Sequence, residues 1–407
     1  MTSDVSVGAA IDFDPFAVSF FDDPHAVYRR LRAEAPVYHN EKYGFWALSR
    51  YQDVAAGMKD FGTYSSAKGI TLDMFLDPEP RTVSVPLIIM MDPPDHTRMR
   101  KLVNKVFTPR AVTALEAMVR HTIREAADKV DPVAFDIVAD FAALFPVEVI
   151  TTMLGVPAAD RQQLRLWTDA GLHREAGHLG PTQAGVEAAR SSARYYYDLV
   201  TERRAQPRDD MISRLTRVEL DHGDGTTNML TDLEIVGFCS LLGGAGAETV
   251  TKLVGSAAVT FADHPDQWQE LRADRSKIPA AIEELLRYDG PVQYDIRYSL
   301  RDVHLHGHTI PEGSPVMMLL ASATRDESAF PDAGRFDVNR PHTGHNLAFG
   351  YGIHSCLGAA LARMESRIAL DVLLDMMPRY EVDRPGLRRV AMSNVAGWSN
   401  VPIRVPR

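Results

Sequence analysis

The segment from Phe349 to Gly358 holds a single cysteine, Cys356, after a glycine-rich loop and directly before a long helical pattern. A cysteine at the start of a helix lies among unpaired backbone N–H groups at the positive end of the helix dipole, which favours the thiolate. Gly350, Gly352 and Gly358 would let the backbone approach a large flat ligand, and Gly350 and Gly352 can adopt dihedrals closed to other residues. These residue types suit a metal that takes one soft axial ligand, such as haem iron. A buried cysteine at an ordinary loop-to-helix junction is the alternative.

Glu248 and Thr249 place an acid beside an alcohol in the middle of a second long helical pattern. They follow Gly243, Gly244 and Gly246, each of which costs a helix about 1 kcal/mol against alanine. A sequence optimised for a straight helix would not contain these glycines. One interpretation is a functional opening of the helix. The other is close helix packing against glycine, with the Thr249 hydroxyl bonded to a carbonyl of its own helix.

Two further pairs have helical spacing. His96 and Arg100 are four residues apart, so they share a helix face and could bind the carboxylates of a buried anionic cofactor. An exposed basic helix is the alternative. Glu284 and Arg287 are three apart on another helix. Taken alone, such a pair is most often a solvated surface ion pair.

The cysteine segment matches the pattern F-G-x-G-x-H-x-C-x-G and therefore resembles the haem-binding signature of the cytochromes P-450, the haem-thiolate monooxygenases. The sequence AGAET, which begins at Ala245, resembles the oxygen-activation segment of the same family. The resemblance implies a locally opened helix with space for dioxygen. It also implies that Thr249 and Glu248 are catalytic and deliver protons during oxygen activation. The family motifs occur in the family's order, and the resemblance covers about residues 15 to 405.

The resemblance also assigns the remaining site residues. It implies haem b with Cys356 as the axial thiolate and metal ligand. Glu284 and Arg287 fit the family's E-x-x-R, and Arg340 fits the arginine that clamps this pair, which gives all three a structural role. The partners of the haem propionates would be His96, Arg100, Arg297 and His354. The other cofactor-binding residues would be Phe349, Gly350, Gly358 and Ala245.

Hydrophobic periodicity places these residues on elements. It predicts helices over 24–34 and from 51, a strand over 44–50, an irregular segment over 62–91, helices through about 200, and β-hairpins over 303–319. Thr231 and Glu234 form a capping box that starts a helix reaching about residue 262. The fold class is mainly α with a small β region. The resemblance implies one domain over 15–407, after a flexible arm over 1–14, shaped as a triangular prism with haem between the long helix and the helix after Cys356.

Composition excludes several classes of protein. The chain has 407 residues, 45% of them hydrophobic, and a net charge of −10, which disfavours nucleic-acid binding. Two cysteines argue against a secreted disulfide framework. The N-terminal residues are acidic rather than basic and apolar, and the apolar runs are too short to span a bilayer. We expect a cytoplasmic, soluble protein of the prokaryotic type without a membrane anchor, and a monomer.

The implied reaction inserts one atom of dioxygen into a C–H or C=C bond of an apolar small molecule. The chain has no flavin-binding or nicotinamide-binding glycine fingerprint, so electrons would come from a ferredoxin and ferredoxin reductase, or the oxidant would be peroxide. A local basic patch could dock an acidic ferredoxin or be a solvated helix face: Arg98, Lys101, Lys105 and Arg110. A peroxide-driven peroxygenase and a non-enzymatic haem-thiolate sensor or carrier stay as alternatives. The Glu248–Thr249 pair argues against both, because peroxide brings its own protons and a carrier needs none.

The substrate follows only from the apolar character of the expected pocket. By analogy with the family, that pocket includes Leu72, Met74, Phe75, Leu87, Ile88, Ile89, Leu242, Val292, Met392 and Val395. A fatty acid, terpenoid, steroid or polyketide would fit such walls. Arg174 could anchor a carboxylate, which favours fatty or branched-chain acids.

Overall fold

The computed structural model describes residues 11–76, 85–175, 178, 180–221, 227–341, 344–390 and 392–406. Helices make up 55% of the structure, and the mainly α fold class is confirmed. Within the described residues there are sixteen α-helices, α1 to α16: Val18–Asp22, His25–Glu34, Tyr51–Lys59, Leu72–Leu76, Asp95–Val106, Pro109–Thr113, Glu116–Ala127, Phe145–Leu154, Arg161–Leu172, Gln183–Ala205, Met211–Leu215, Asp232–Asp263, Pro265–Ala273, Ile278–Asp289, Leu320–Ala323 and Ala359–Met376.

Short 3₁₀ turns and one π-helix join these helices. The π-helix is Ile137–Ala142, directly before α8. The 3₁₀ turns are Ile88–Met90, Ala158–Asp160, Arg275–Lys277, Leu347–Phe349, Gly352–His354 and Arg384–Gly386.

The same residues contain fourteen strands, β1 to β14: Val37–Asn40, Phe45–Leu48, Tyr64–Ser65, Ala134–Asp136, Glu219–Asp221, Thr227–Met229, Asp295–Ser299, Val303–Leu305, His308–Ile310, Pro315–Met318, Glu381–Val382, Arg388–Arg389, Trp398–Asn400 and Pro402–Arg404. A five-stranded sheet has the order β1-β2-β10-β7-β3, in which only β2 and β10 are parallel. A three-stranded sheet, β11-β14-β4, and three two-stranded ladders complete the β region.

Helix α12 runs through the centre of the molecule. The capping box that the sequence predicts is present, because Thr231 N donates to Glu234 Oε2 at 2.8 Å and Glu234 N donates to Thr231 Oγ1 at 3.2 Å. The helix continues for 32 residues, or about 48 Å. It packs against α8, α9, α10, α14 and α16. One large core cluster extends along it, from Ile88 to Ile403.

Two predictions from the sequence need correction. Residues 303–319 contain one hairpin, β8–β9, but β10 is the central strand of the main sheet, between β2 and β7. Its run of apolar side chains is buried on both faces, as expected of a central strand. A flexible arm was predicted over 1–14, and residues 1–10 of it lie outside the described residues. Residues 11–14 are packed rather than flexible, since Phe13 is buried against four aromatic rings.

Two stretches are long and apolar enough to cross a membrane, Ile137–Leu154 and Asp232–Asp263. More than half of each is buried inside the molecule, 61% and 56% respectively. Core helices of soluble proteins have the same character. The pattern is therefore accounted for by packing.

Candidate functional site

The cysteine loop is built from two left-handed glycines between short 3₁₀ turns. Gly350 has φ +69° and Gly352 has φ +74°, as the glycine pattern predicts. A side chain at Gly352 would come within 2.6 Å of the Met58 carbonyl oxygen, so this glycine permits close approach to α3 rather than to a ligand. The amide of Cys356 donates to the Phe349 carbonyl at 2.9 Å, which closes the loop immediately before α16.

The Cys356 side chain lies on the wall of an interior cavity of about 250 Å³. The cavity separates the cysteine loop and α16 on one side from α12 on the other, with Ala245, Thr249, Phe349, Gly350 and Gly358 also on its wall. The remaining wall is mostly apolar: Ile88, Ile89, Ile150, Phe238, Leu241, Leu242, Pro291, Val292 and Leu320. Its position is therefore the one that the resemblance implies for haem.

The thiol itself differs from the expectation for a helix N-terminus. Burial raises the pKa of Cys356, although the amides of Gly358 and Ala359 and the charges of Arg100 and Arg363 act in the opposite direction. The sulfur-bearing residue borders the cavity, and desolvation outweighs the opposing effect of the helix N-terminus. A bound metal cation would supply the positive charge that the thiolate needs.

Three cationic or imidazole side chains meet at one end of this cavity. The rings of His96 and His354 are 4.4 Å apart between centroids, and the Nε2 atom of each is buried without a hydrogen-bond partner within the described residues. Arg100 lies on the same wall and donates one bond, to the Ser355 carbonyl at 2.9 Å. Buried polar atoms without partners identify the place where an anionic ligand group would bind.

The histidines are neutral in this environment. Burial and the neighbouring cations Arg297 and Arg100, together with His96, lower the pKa of His354 to about 3. Burial and Arg100 also lower the pKa of His96. Anionic groups placed between them would remove this repulsion and favour hydrogen bonding. The cluster fits the two propionates of a haem, and the thiol on the cavity wall fits its iron.

Arg297 lies on β7 and is 3% exposed. It donates to the Ile296 carbonyl at 2.8 Å, and its Nη2 atom is 3.6 Å from a carboxylate oxygen of Asp295. Asp295 is on the cavity wall, and burial raises its pKa. Sequence reasoning missed this acid, although its position two residues before Arg297 on one strand places both side chains on one face.

Helix α12 presents Thr249 and Ala245 to the cavity, but it is not opened there. The helix is continuous from residue 232 to 263, and the Thr249 hydroxyl donates to the Ala245 carbonyl at 3.0 Å. The glycines serve packing, because a side chain at Gly243 would lie 2.8 Å from the Tyr196 hydroxyl and one at Gly246 would lie 3.4 Å from Ile150. The predicted local opening of α12 is therefore wrong, and the glycines instead allow α8 and α10 to pack closely against this helix.

Glu248 faces the other side of α12 from the cavity wall. Only 5% of the residue is exposed. The Lys252 ammonium is 3.0 Å from its Oε2 atom. Burial, together with the nearby Glu248 carboxyl, raises the pKa of Asp169 of α9 to about 7. Sequence reasoning missed Asp169, because 79 positions separate it from Glu248 and neither residue's helical pattern indicates their proximity.

The structure brings Glu284, Arg287 and Arg340 together in one cluster. Arg287 binds both carboxylate oxygens of Glu284 at 2.7 and 2.8 Å, and Arg340 Nε contacts the same oxygens at 3.1 and 3.2 Å. Arg287 also donates to the carbonyls of Thr324 and Ala333. The pair is fully buried, which excludes the solvated surface interpretation.

Arg174 is not available as a carboxylate anchor. Its Nη2 and Nε atoms lie 3.1 and 3.3 Å from Asp73 Oδ2, and its Nη1 atom donates to three backbone carbonyls. Asp73 is buried, and the Arg174 side chain is 14% exposed. The inference of an acidic substrate therefore loses its support.

Of the apolar residues predicted to line the pocket, some line the cavity and others lie elsewhere. Ile88, Ile89, Leu242 and Val292 line the cavity. Leu72 and Phe75 belong to a separate core cluster with the N-terminal aromatics, Met74 is an exposed side chain, and Leu87 lies beside Gly237. Met392 and Val395 form β-bridges with His173 and Val292.

The predicted basic patch is partly engaged in internal contacts. Arg98 forms an ion pair with the buried carboxylate of Glu234, and Lys105 donates to the Glu219 carbonyl at 2.6 Å. Lys101 and Arg110 remain exposed. The surface charge available to a partner is therefore smaller than the sequence suggests.

Comparison with known proteins gives one family. The family model described as Cytochrome P450 matches residues 179–385. A protein named putative cytochrome P450 123, from Mycobacterium tuberculosis, is 42% identical over 396 residues, which are 96% of each chain.

Solved structures agree with this sequence match. Cytochrome P450 CYP109Q5 from Chondromyces apiculatus superposes with a TM-score of 0.87 and 35% identity, over 97% of this chain and 98% of that one. CYP109E1 from Bacillus megaterium, in complex with testosterone, superposes with a TM-score of 0.82 and 32% identity, over 95% of this chain and 100% of that one. The similarity thus covers the whole architecture around the cavity.

Proposed function

The chain belongs to the cytochrome P450 family, and we propose that it inserts one atom of dioxygen into a C–H or C=C bond of a neutral apolar molecule held above Cys356. As a member of this family it is a haem-thiolate monooxygenase, and its cofactor is haem b with a cysteine ligand. The observation that carries the proposal is the Cys356 thiol on the wall of a mostly apolar cavity, whose wall also holds two imidazoles without hydrogen-bond partners among the described residues.

We assign the cofactor contacts from the geometry of the cavity. Cys356 would ligate the iron, and His96, Arg100 and His354 would bind the propionates, with Arg297 behind them. Bound haem supplies the activation of dioxygen, for which the thiolate ligand donates electron density to the metal. Phe349, whose ring carries the Arg363 guanidinium at 4.5 Å from its centroid, would shield the sulfur from solvent.

Glu248 and Thr249 are the proposed proton carriers. The Thr249 hydroxyl is on the cavity wall and Glu248 is its direct neighbour in the chain, on the side of α12 that faces α9. Glu248 would pass protons toward the cavity, and the Thr249 oxygen, whose own hydrogen is bonded to Ala245, would accept a hydrogen bond from a water or ligand in the cavity.

The substrate is proposed to be a neutral, apolar molecule of the terpenoid, steroid or polyketide type. The walls of the cavity opposite Cys356 are aliphatic or aromatic, and burial of a carboxylate there would lack a cationic partner because Arg174 is paired with Asp73. The relative CYP109E1 has been crystallised with testosterone, a neutral molecule of this type.

Three ligands test the substrate class: testosterone, and the matched pair lauryl alcohol and laurate, which differ only in the head group. Each is titrated into the haem-loaded protein, and the spin-state shift of the Soret band is recorded. We expect lauryl alcohol to bind more tightly than laurate, and testosterone to produce the shift. Tighter binding of laurate than of its alcohol would overturn the assignment to neutral substrates.

Electron supply is proposed to come from an acidic ferredoxin and its reductase. Family members generally receive electrons from redox partners. Lys101 lies one residue after Arg100, which contacts the cysteine loop, and Lys101 is exposed. Charges at the rim of such a surface steer association.

Charge reversal tests this docking surface. Lys101→Glu should slow reduction by a ferredoxin at low salt, and the difference should shrink as salt is added. Arg194→Glu, at an exposed position of α10, is the control. Equal reduction rates for Lys101→Glu and the control would exclude docking at Lys101.

The remaining assignments concern the whole protein. We propose a cytoplasmic monomer in which residues 15–407 form one domain. The five-stranded sheet pairs β2 and β3 of the N-terminal part with β10 and β7, and the main core cluster includes residues from Ile88 to Ile403, which supports a single unit. A single cooperative unfolding transition and a monomeric mass in solution are expected, and separate transitions would contradict the single domain.

A further inference from the structure

Arg363 and Glu283 form an ion pair beside the cysteine loop. Arg363 lies one turn into α16, and long side chains on a helix point back toward the N-terminus of that helix. Its guanidinium accordingly lies over the ring of Phe349, 4.5 Å from the ring centroid. Both carboxylate oxygens of Glu283, on α14, accept hydrogen bonds from Arg363, and the one from Nη2 is 3.1 Å long. A positive charge is therefore held over Phe349 by two contacts of known geometry.

Phe349 connects this charge with the cysteine. Its carbonyl accepts a hydrogen bond from the Cys356 amide at 2.9 Å, and both residues lie on the wall of the cavity. An aromatic ring, rather than water, thus lies directly beneath the guanidinium. Charges are screened less through apolar groups than through water. The Arg363 charge also opposes the rise in the pKa of Cys356.

The ion pair is only partly exposed. The Arg363 side chain is 43% exposed and that of Glu283 is 23% exposed, so water and salt weaken the field of the pair without removing it. The Glu283 carboxylate carries the opposite charge and cancels part of the field of Arg363. The field that reaches the cysteine loop is therefore a difference between two charges, and each can be changed separately.

We propose that Arg363 raises the reduction potential of haem bound at Cys356 and that Glu283 lowers it, so that the pair sets how readily the iron accepts an electron. This inference rests on the proposed function and adds two positioning residues, which act through Phe349 and Cys356. One electron passes from the donor to the ferric iron, and no bond to either residue forms or breaks. A nearby cation favours the ferrous state, because the electron adds negative charge to the site.

A purely structural ion pair is the competing account. In it, Arg363 and Glu283 only fasten α16 to α14, which are in contact, and keep the Phe349 ring in place. Breaking the pair from either side would then disturb Phe349 in the same way, and the potential would move in one direction or stay constant. The charge account requires opposite directions, because the two variants remove charges of opposite sign.

The test is the reduction potential of the haem-loaded protein, measured by anaerobic dithionite titration with redox dyes at low salt. Arg363→Gln should make reduction several-fold less favourable, and Glu283→Gln should make it more favourable. A tenfold change in this one-electron equilibrium corresponds to about 59 mV. Both shifts should shrink as salt is added. Shifts of the same sign in the two variants would overturn the proposal.

A matched arginine on the same helix provides the control. Arg367, one turn further along α16, is 42% exposed and pairs with Glu116 at 3.3 Å. Arg367→Gln should leave the potential close to that of the parent, and Arg363→Lys, which retains the charge, should do the same. Equal potentials in Arg363→Gln and Arg367→Gln would show that proximity to Phe349 has no effect.

The outcomes separate this inference from the proposed function. If the parent protein shows no thiolate-ligated haem, the proposed function fails before any potential is compared. If the parent is normal and its potential is unchanged in both Arg363→Gln and Glu283→Gln, only the role of the ion pair fails. If Arg363→Gln loses its haem, Glu283→Gln decides alone, because it leaves the guanidinium in the protein: a raised potential supports the proposal and an unchanged one overturns it.

Discussion

Three residues on the cavity wall carry buried polar atoms that have no hydrogen-bond partner among the described residues. His96 and His354 each present an unpartnered Nε2 atom. Glu365 of α16 also lies on the cavity wall and is 2% exposed, and no described residue forms a hydrogen bond with its Oε2 atom. The imidazoles have an expected partner in the cofactor, whereas the carboxyl of Glu365 must remain protonated to be buried.

Glu365→Gln should therefore stabilise the protein at alkaline pH. Burial raises the pKa of Glu365 well above its usual range, so the folded state keeps a proton that the unfolded chain loses above pH 4.5. Stability of the parent thus falls as pH rises above that value, and glutamine removes this dependence. Thermal unfolding should show a larger gain in Tm at pH 8 than at pH 5.

Glu381→Gln, at an exposed site on β11, is the control for this substitution and should change Tm equally at both pH values. A gain for Glu365→Gln that does not grow with pH would mean that Glu365 is ionised in the folded protein.

At this scale the sequence predicts residues that belong to compact motifs. Cys356, His354 and Gly350 follow one another within seven positions, so their proximity is guaranteed by the chain. Asp169 and Asp295 escaped prediction, because their significance depends on a tertiary contact or on burial, and neither leaves a periodic signal. The pKa of Cys356 was also beyond the sequence, since the burial that raises it depends on the whole fold.

Helix α12 shows how glycines position an element rather than open it. The closest contact is at Gly237, where a side chain would come within 2.0 Å of the Pro86 carbonyl oxygen. The segment that begins at residue 85 and contributes Ile88 and Ile89 to the cavity wall is therefore seated directly on this helix.

Gly237→Ala should displace this segment. The added methyl group overlaps backbone, which cannot rotate away, so we expect a loss of about 1–3 kcal/mol in the free energy of unfolding, as for an overpacked core. Urea denaturation measures it. Gly334→Ala is the matched control, because nothing lies within 4 Å of the added atom. Equal stability of the two variants would contradict the contact.

Glu284→Gln should be far more costly than the same change at its neighbour. Removal of the Glu284 charge leaves two arginines without their common carboxylate in a buried site, an effect of about 3–5 kcal/mol. Glu283 pairs with the half-exposed Arg363, and Glu283→Gln should cost about 1 kcal/mol or less. Comparable urea midpoints for the two variants would show that the buried cluster adds no stability.

Helices and strands could be predicted from the sequence where capping residues and apolar periodicity determine them. The capping box at Thr231 fixes the start of α12, and the apolar periodicity carries it to residue 263. Local patterns wrongly predicted that β10 belongs to a second hairpin. Its true partner, β2, lies about 270 positions earlier in the chain, where a local pattern cannot indicate it. Continuity of α12 through its glycines likewise depends on the helices that cross it.

At the scale of the whole molecule, one ion pair joins three distant segments. Asp73 of α4 binds Arg174, which follows α9, and accepts a hydrogen bond from Ser393 at 3.2 Å. His173 and Met392 form a β-bridge beside them. Val395 bridges to Val292, which is on the cavity wall, so this junction closes one side of the cavity.

Arg174→Gln should loosen the junction and admit small ligands faster. The variant leaves the Asp73 carboxylate buried with weaker partners, so the three segments separate more often. Flash photolysis of the carbon monoxide complex should show a several-fold faster recombination from solvent than in the parent. Arg194→Gln, which breaks an exposed pair, is the control. Identical recombination in both variants would show that the junction does not control access.

The central claim is that Cys356 binds haem iron as a thiolate, and the Soret band of the dithionite-reduced carbon monoxide complex tests it most directly. We predict a strongly red-shifted band in the parent protein and its loss in Cys356→Ser. A parent band at the ordinary haem-protein position, or a red-shifted band that survives in Cys356→Ser, would contradict the account.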